Sequence, residues 1–277
     1  MSKPKKASSA HRAAKNQPTG RANRPVSNKG AQLVASSTRE TVAERTKRSS
    51  KILTELKKVY PDADCALNHN SALKLLVATI LSAQSTDETV NKVTPVLFAE
   101  FPTAKKLAAA DPNVVESLIK STGFFRQKTK SIIGACTQIV LDFGGQVPQA
   151  MDELIQLPGV ARKTANVVLG TWFKKNEGVV VDTHVGRLAH RLGLTWTSKN
   201  DKDAIKIEQD LMQVLPQREW TYTAHALIWH GRRVCSARKP NCEACTLNKL
   251  CPSAFTINTN NIAGSTGRKK KRSTGGL

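Results

Sequence analysis

Four cysteines, Cys235, Cys242, Cys245 and Cys251, fall within 17 residues near the C-terminal end of the chain, at intervals C-x6-C-x2-C-x5-C. So tight a run constrains the fold of 235–251 strongly: it predicts a compact loop closed on something that its thiols hold in common. A disulfide framework fits poorly. The first 30 residues contain no apolar stretch of the kind that opens a secreted chain, and Cys242 and Cys245 are too close to serve separate cross-links. A four-thiolate metal site fits better. Zinc usually takes its ligands from two short C-x2-4-C turns, whereas one C-x2-C with flanking cysteines can also wrap an iron–sulfur cube. The spacing leaves both open, beside a third reading of four buried structural thiols. Cys65 and Cys136 sit far away in apolar surroundings and read as core thiols.

Between the tails the hydrophobic pattern is mainly helical. Residues 41–60 place Val42, Ile52, Leu53, Leu56 and Val59 mostly at three- and four-residue spacings and stop at Pro61, which predicts an amphipathic helix. Ser71 to Ser82 is strongly apolar. Asp87 to Phe98 follows a Ser-Thr-Asp cap signal, and Asp111-Pro112 opens a helix running to about Ser121. Gln127 to Phe143 carries Ile132, Ile133, Cys136, Ile139 and Val140 on one face and ends in Gly144-Gly145, a glycine stop. Met151–Leu157, Arg162–Trp172, Thr183–Leu192, Ala204–Leu215 and Thr221–Arg232 complete the series. The one β-branched run is Val179-Val180-Val181, and no βα alternation occurs, so the expected fold is all-α.

Charge points to the partner. Over 277 residues, 43 Lys and Arg face 21 Asp and Glu, a net +22 that calls for a polyanion such as nucleic acid or an anionic membrane surface. No run approaches the ~18 apolar residues of a membrane span. Most of the excess is in the tails: residues 1–50 hold 12 basic and 2 acidic side chains, and Arg268–Arg272 is a run of five basic residues. The first 38 residues read as a disordered basic arm, a composition that also fits an organellar transit peptide. Residues 258–277 read as a basic tail whose RKKKR fits a nuclear address, a phosphate contact or a solubilising end.

Two further features carry chemistry. Leu157-Pro158-Gly159-Val160-Ala161-Arg162-Lys163 is a short turn between helical stretches; glycine lets backbone approach a ligand, and amides at the start of the next helix suit a phosphate. The plain alternative is a ligand-free helical connection. Lys163, just inside that helix beside Arg162, is a candidate covalent nucleophile. Asp182, in Val181-Asp182-Thr183-His184, follows it by 19 residues, a separation that one helix and a return loop can fold back upon. It reads either as an ordinary helix N-cap or as a carboxylate facing that amine. His184, His190, His225 and His230 lack a metal-ligand spacing and read as structural.

With these residues in view, the chain resembles the helix-hairpin-helix DNA glycosylases, and closely their endonuclease III branch. The resemblance covers about Ala43–Ala254 and rests on LSAQSTD (Leu81–Asp87), LPGVARKTANVVLG (Leu157–Gly170), VDTHVGRL (Val181–Leu188), HGRRVC (His230–Cys235) and the four-cysteine spacing. It implies a six-helix barrel domain with a helix-hairpin-helix motif plus a smaller helical domain holding a [4Fe-4S] cluster on Cys235, Cys242, Cys245 and Cys251. The implied segments are an N-terminal helical segment at 39–64 packing with the cluster domain, the barrel at 65–175 and the cluster domain at 176–257. The implied activity is that of a bifunctional, monomeric base-excision enzyme acting on oxidised pyrimidines in damaged double-stranded DNA, cytoplasmic and nucleoid-associated in a bacterium. Lys163 and Asp182 match the catalytic pair. Gln84 matches the residue that fills the gap left by an extruded nucleotide, and Phe124 the apolar wedge. Gly159, Val160, Ala161 and Arg162 match the phosphate-contacting hairpin, and Arg238 and Lys239, with Arg232 and Arg233 before them, the cysteine-loop contact.

Two positions depart from the family pattern. The usual GVGRK reads GVARK, which predicts a helical backbone at Ala161, and Phe124 stands where a leucine is usual, which predicts an altered opposite-base preference. A monofunctional adenine glycosylase of the same superfamily would lack Lys163 and carry a glutamate near Gln84. A catalytically silent, cluster-containing DNA-binding protein is the remaining alternative.

Overall fold

The computed structural model describes residues 40–256, so the basic arm at 1–38 and the tail at 258–277 lie outside the described residues. Within it the chain forms α1 (Val42–Val59), α2 (Ala72–Leu81), α3 (Asp87–Glu100), α4 (Ala104–Ala108), α5 (Pro112–Ile119) and α6 (Phe125–Asp142). The series continues with α7 (Met151–Leu154), α8 (Arg162–Thr171), α9 (Thr183–Arg191), α10 (Ala204–Val214) and α11 (Trp220–Arg233). There is no strand among the described residues; Val179–Val181 is buried but belongs to no helix or sheet. The all-α expectation holds.

Local chemistry sets most helix starts. Thr41, Ser71, Thr86, Thr103, Asp111, Asp182 and Asp203 each accept a hydrogen bond from a backbone N–H of the helix they precede, satisfying donors that the helix itself leaves free. At Thr41 the bond is reciprocated by Glu44 in a capping box. Helix α6 stops before Gly144 and Gly145, both at positive φ. Helices α2, α4 and α5 pack on α6, and α2 also on α3 and α8, enclosing Leu75, Leu76, Leu81, Leu107, Ile132 and Ile139. Helix α9 packs on α10 and α11, α1 lies against α10 and α11, and α8 touches α11.

The face of α1 differs from the expected one. Ile52, Leu53 and Leu56 are buried, but Val42 and Val59 are exposed, and Arg45 and Ser49 take buried positions instead. The reason lies in what α1 docks against. It meets the C-terminal ends of α9 and α10, whose last carbonyls need donors. Arg45 donates to the Gly193 carbonyl, Arg48 to those of Leu192 and Leu250, and the Ser49 hydroxyl to that of Val214. Valines could not have satisfied these groups. Helix α4 carries no sequence signal, being too short to show a period, and α3, expected over Asp87–Phe98, continues through Pro95 to Glu100.

Candidate active site and cysteine loop

Helices α7 and α8 form a helical hairpin across Leu157–Ala161. Leu157 and Val160 bury their side chains, and the Val160 amide donates to the Leu157 carbonyl at 3.0 Å, closing the turn. Gly159 stands at φ +77, and a Cβ there would lie 2.5 Å from the Ser131 Cβ, so both conformation and space demand glycine. Val160 therefore serves the core through its side chain, and its amide is already engaged. Ala161 is not helical as expected: it lies at φ −90, ψ 168, extended backbone that any residue adopts, because it is the N-cap of α8. Alanine is accommodated for that reason. Its methyl cannot cap, and no side chain caps α8, so the first-turn amides that would bind an anion are left without a side-chain acceptor.

Lys163 is exposed in that open first turn and makes no hydrogen bond or ion pair among the described residues. Arg162 is committed elsewhere: its guanidinium pairs with Glu208 at 3.3 Å and reaches the Glu177 carbonyl at 3.4 Å. Asn166 joins the same carboxylate at 2.9 Å, fastening α8 to α10. Asp182 is half-buried at the start of α9, where its Oδ1 accepts from the amides of His184 and Val185, both at 2.8 Å. The N-cap reading is thus realised. It occupies one carboxylate oxygen, fixes the plane of the group and leaves Oδ2 available.

Gln84 and Phe124 are both exposed, and both hold left-handed backbone, at φ 53 and φ 49. Such conformations cost non-glycine residues free energy and concentrate at functional sites. Gln84 sits in the turn after α2, whereas Phe124, 65% exposed, is the residue from which α6 starts.

The four cysteines of the loop line one cavity, together with Arg191, His230 and Asn248. Among the described residues, no three His, Cys, Asp or Glu side chains come close enough to hold a single metal ion. Burial, and then the other cysteines, raise the Cys251 thiol to about 11, and burial raises Cys245. Four thiolates gathered here therefore require compensating positive charge. Part of it comes from α9. Arg191 donates to the Cys235 sulfur at 3.1 Å and to the carbonyls of Ser236 and Ala237, and Arg187 donates to the Cys235 carbonyl. His230 places Nε2 3.3 Å from the Cys245 sulfur and Nδ1 3.1 Å from the Tyr60 hydroxyl. The sequence marks neither Arg187 nor Arg191, although their four-residue spacing puts both on one helix face, and His230, expected to be structural, stands against the Cys245 sulfur.

Arg238 and Lys239 are exposed on the loop, whose bend is fixed by mutual bonds between Ser236 and Lys239. Arg232 and Arg233 are used internally. Arg232 pairs with Asp87 at 2.7 Å, and the Arg233 guanidinium stacks 4.3 Å from the Trp229 ring centre. Cys136 is buried and Cys65 half-buried, and burial raises their thiols to about 12 and about 11, as inert core thiols require. His225 is buried beside the Thr171 hydroxyl, 3.3 Å away.

A hairpin of this kind, with an open helix start and an exposed lysine in its first turn, points to a class. Residues 77–217 match the family model described as HhH-GPD superfamily base excision DNA repair protein. Endonuclease III of Synechocystis sp. is 56% identical over 213 residues, 77% of this chain and 95% of that protein. Endonuclease III of Bacillus subtilis is 41% identical over 72% of this chain and 89% of its own. Among solved structures, a trapped endonuclease III–DNA covalent intermediate superposes with a TM-score of 0.71 at 38% identity, covering 76% of this chain and 97% of that one. The chain belongs to the endonuclease III family of this superfamily.

Proposed function

We propose that the exposed Lys163, in the uncapped first turn of α8, is the nucleophile of a DNA glycosylase and abasic-site lyase of base excision repair. The single observation that carries this reading is the contrast between that open helix start and the half-occupied carboxylate of Asp182. Duplex DNA lies along the hairpin, where a phosphate meets the open amides of α8 and the exposed Arg238 and Lys239 add charge. The target nucleotide leaves the stack; Gln84 and Phe124 occupy the space it vacates. As the base departs, positive charge develops at the sugar C1′, and the free oxygen of Asp182 stabilises it. The Nζ lone pair of Lys163 attacks C1′, the base leaves with the bonding electron pair and takes up a proton, and cleavage of C1′–O4′, with a proton passing from the nitrogen to O4′, opens the ring and gives a Schiff base. That linkage acidifies the C2′ proton, whose removal expels the 3′ phosphate by β-elimination.

Cys235, Cys242, Cys245 and Cys251 would hold a [4Fe-4S] cluster. Their arrangement around one shared cavity, in a loop with a single C-x2-C and flanking cysteines, supports that reading. When bound, that group closes the loop bearing Arg238 and Lys239. It supplies no step at the sugar. The arrangement predicts four irons per chain; stoichiometric zinc would refute it.

Oxidised pyrimidines in duplex DNA are the proposed substrates, and a cytoplasmic place on the nucleoid follows from them in a bacterium. The test is a cleavage panel of duplexes bearing an oxidised pyrimidine, an oxidised purine, a mismatched adenine or an abasic site. Strand scission at the oxidised pyrimidine and the abasic site is expected. Activity confined to the mismatched adenine would overturn the assignment.

A further inference from the structure

Lys128, in the second turn of α6, is the unusual group outside the site described so far. It is only 4% exposed, an uncommon place for a lysine, and no carboxylate pairs with it among the described residues. Burial lowers its pKa. A buried cation without a counter-charge is costly, and an apolar side chain of similar length would fill the space without that cost. What Lys128 does with its ammonium explains its presence. Nζ donates to the carbonyl of Leu81 at 2.8 Å and to that of Thr122 at 2.8 Å.

These two carbonyls are far apart in sequence and close to the two strained loops. Leu81 is the last residue of α2, three before Gln84, and Thr122 is two before Phe124. The backbone amide of Lys128 also bonds the Phe124 carbonyl at 3.1 Å. One side chain therefore ties together the bases of both loops whose tips hold left-handed, non-glycine backbone. Such conformations persist only where surrounding structure over-determines them.

We infer that Lys128 is a positioning residue for nucleotide extrusion: its ammonium sets the separation of the Gln84 and Phe124 loops so that both tips enter the duplex together. The inference rests on the reading of Gln84 and Phe124 as inserting residues. It assigns Lys128 no contact with the sugar, so its effect belongs to the opening of a paired duplex and not to the chemistry that follows.

The test compares single-turnover release of thymine glycol from two duplexes, one with the lesion paired opposite adenine and one with it opposite a short gap, where little stacking must be broken. Extrusion must break stacking in the paired duplex and little of it opposite the gap. Lys128→Met is therefore expected to slow the paired duplex on the order of 10-fold or more and the gapped duplex by less than about twofold. The fluorescence rise of 2-aminopurine placed beside the lesion should slow in step. Lys128→Arg keeps the charge and donors but changes the reach, and it should give the same paired-only deficit in smaller size, which keeps the test open if the methionine variant folds poorly. Equal slowing of both duplexes, or no slowing of either, overturns the inference. Phe124→Ala serves as the reference. If it leaves the paired rate unchanged, the insertion reading fails; if it slows that rate and neither Lys128 variant does, the clamp alone is wrong.

Discussion

Two helix starts carry the proposed chemistry, and they are built in opposite ways. Helix α9 begins at Asp182, whose carboxylate receives two of the helix's own amides. Helix α8 begins at Ala161, which has nothing to offer, and Lys163 projects from a first turn with no side-chain acceptor. A closed start positions a carboxylate; an open start leaves donors for a phosphate. The pair teaches that the proposed site combines a start that holds a carboxylate in place with one that leaves its amides without a side-chain acceptor.

The largest effect should come from separating the two jobs of Asp182. Asparagine caps a helix about as well as aspartate but carries no charge. Asp182→Asn is expected to leave the melting temperature nearly unchanged while slowing single-turnover base release about 100-fold, the scale of losing one electrostatic contact in a transition state. Asp182→Ala should show the same slowing plus about 1 kcal/mol of lost stability. Equal stabilities for the two variants would mean that the cap contributes nothing, and the comparison would collapse.

The open start can be broken through Gly159. An alanine there meets Ser131 at 2.5 Å in a backbone that favours glycine, so Gly159→Ala should cost about 1–3 kcal/mol in chemical denaturation. The hairpin should also bind an abasic duplex more weakly. Full stability with unchanged affinity would show that the turn is not under the constraint its geometry implies.

A smaller effect concerns pH. His225 is buried against Thr171, and burial lowers its pKa, with Asp64 and Asp182 opposing in part. The unfolded chain, with a histidine near ~6.5, therefore binds the proton more readily than the fold does. Stability should be complete above about pH 6.5 and fall as pH drops through the interval down to the lowered folded value. His225→Asn should flatten that limb of a denaturation series; an unaltered slope would assign the acid sensitivity elsewhere.

Much of this was legible from the sequence because it rests on short-range rules. Caps, proline and glycine stops and apolar spacing place most helices to within a residue or two, although α7 ends at Leu154 where a helix to Leu157 is expected and α4 is not foreseen, and the cysteine intervals mark a shared site. The remainder depends on what a face meets after folding. Val42 and Val59 fit the period of α1 yet lie exposed, since α1 docks on helix ends that need donors. Lys128 looks like one more surface cation in a basic helix until the ends of α2 and the loop before α6 converge on it. Ala161 is extended where a helical backbone is expected, because nothing local distinguishes an N-cap from a first helical residue when the side chain cannot cap.

The central claim is that Lys163 attacks the sugar from the open start of α8. Borohydride reduction of the full chain mixed with an abasic duplex tests it directly: a covalent protein–DNA adduct is expected, abolished in Lys163→Ala and retained in Asp182→Asn at a slower rate. A Lys163→Ala protein that folds, binds the duplex and still forms the adduct at the wild-type rate would contradict the account.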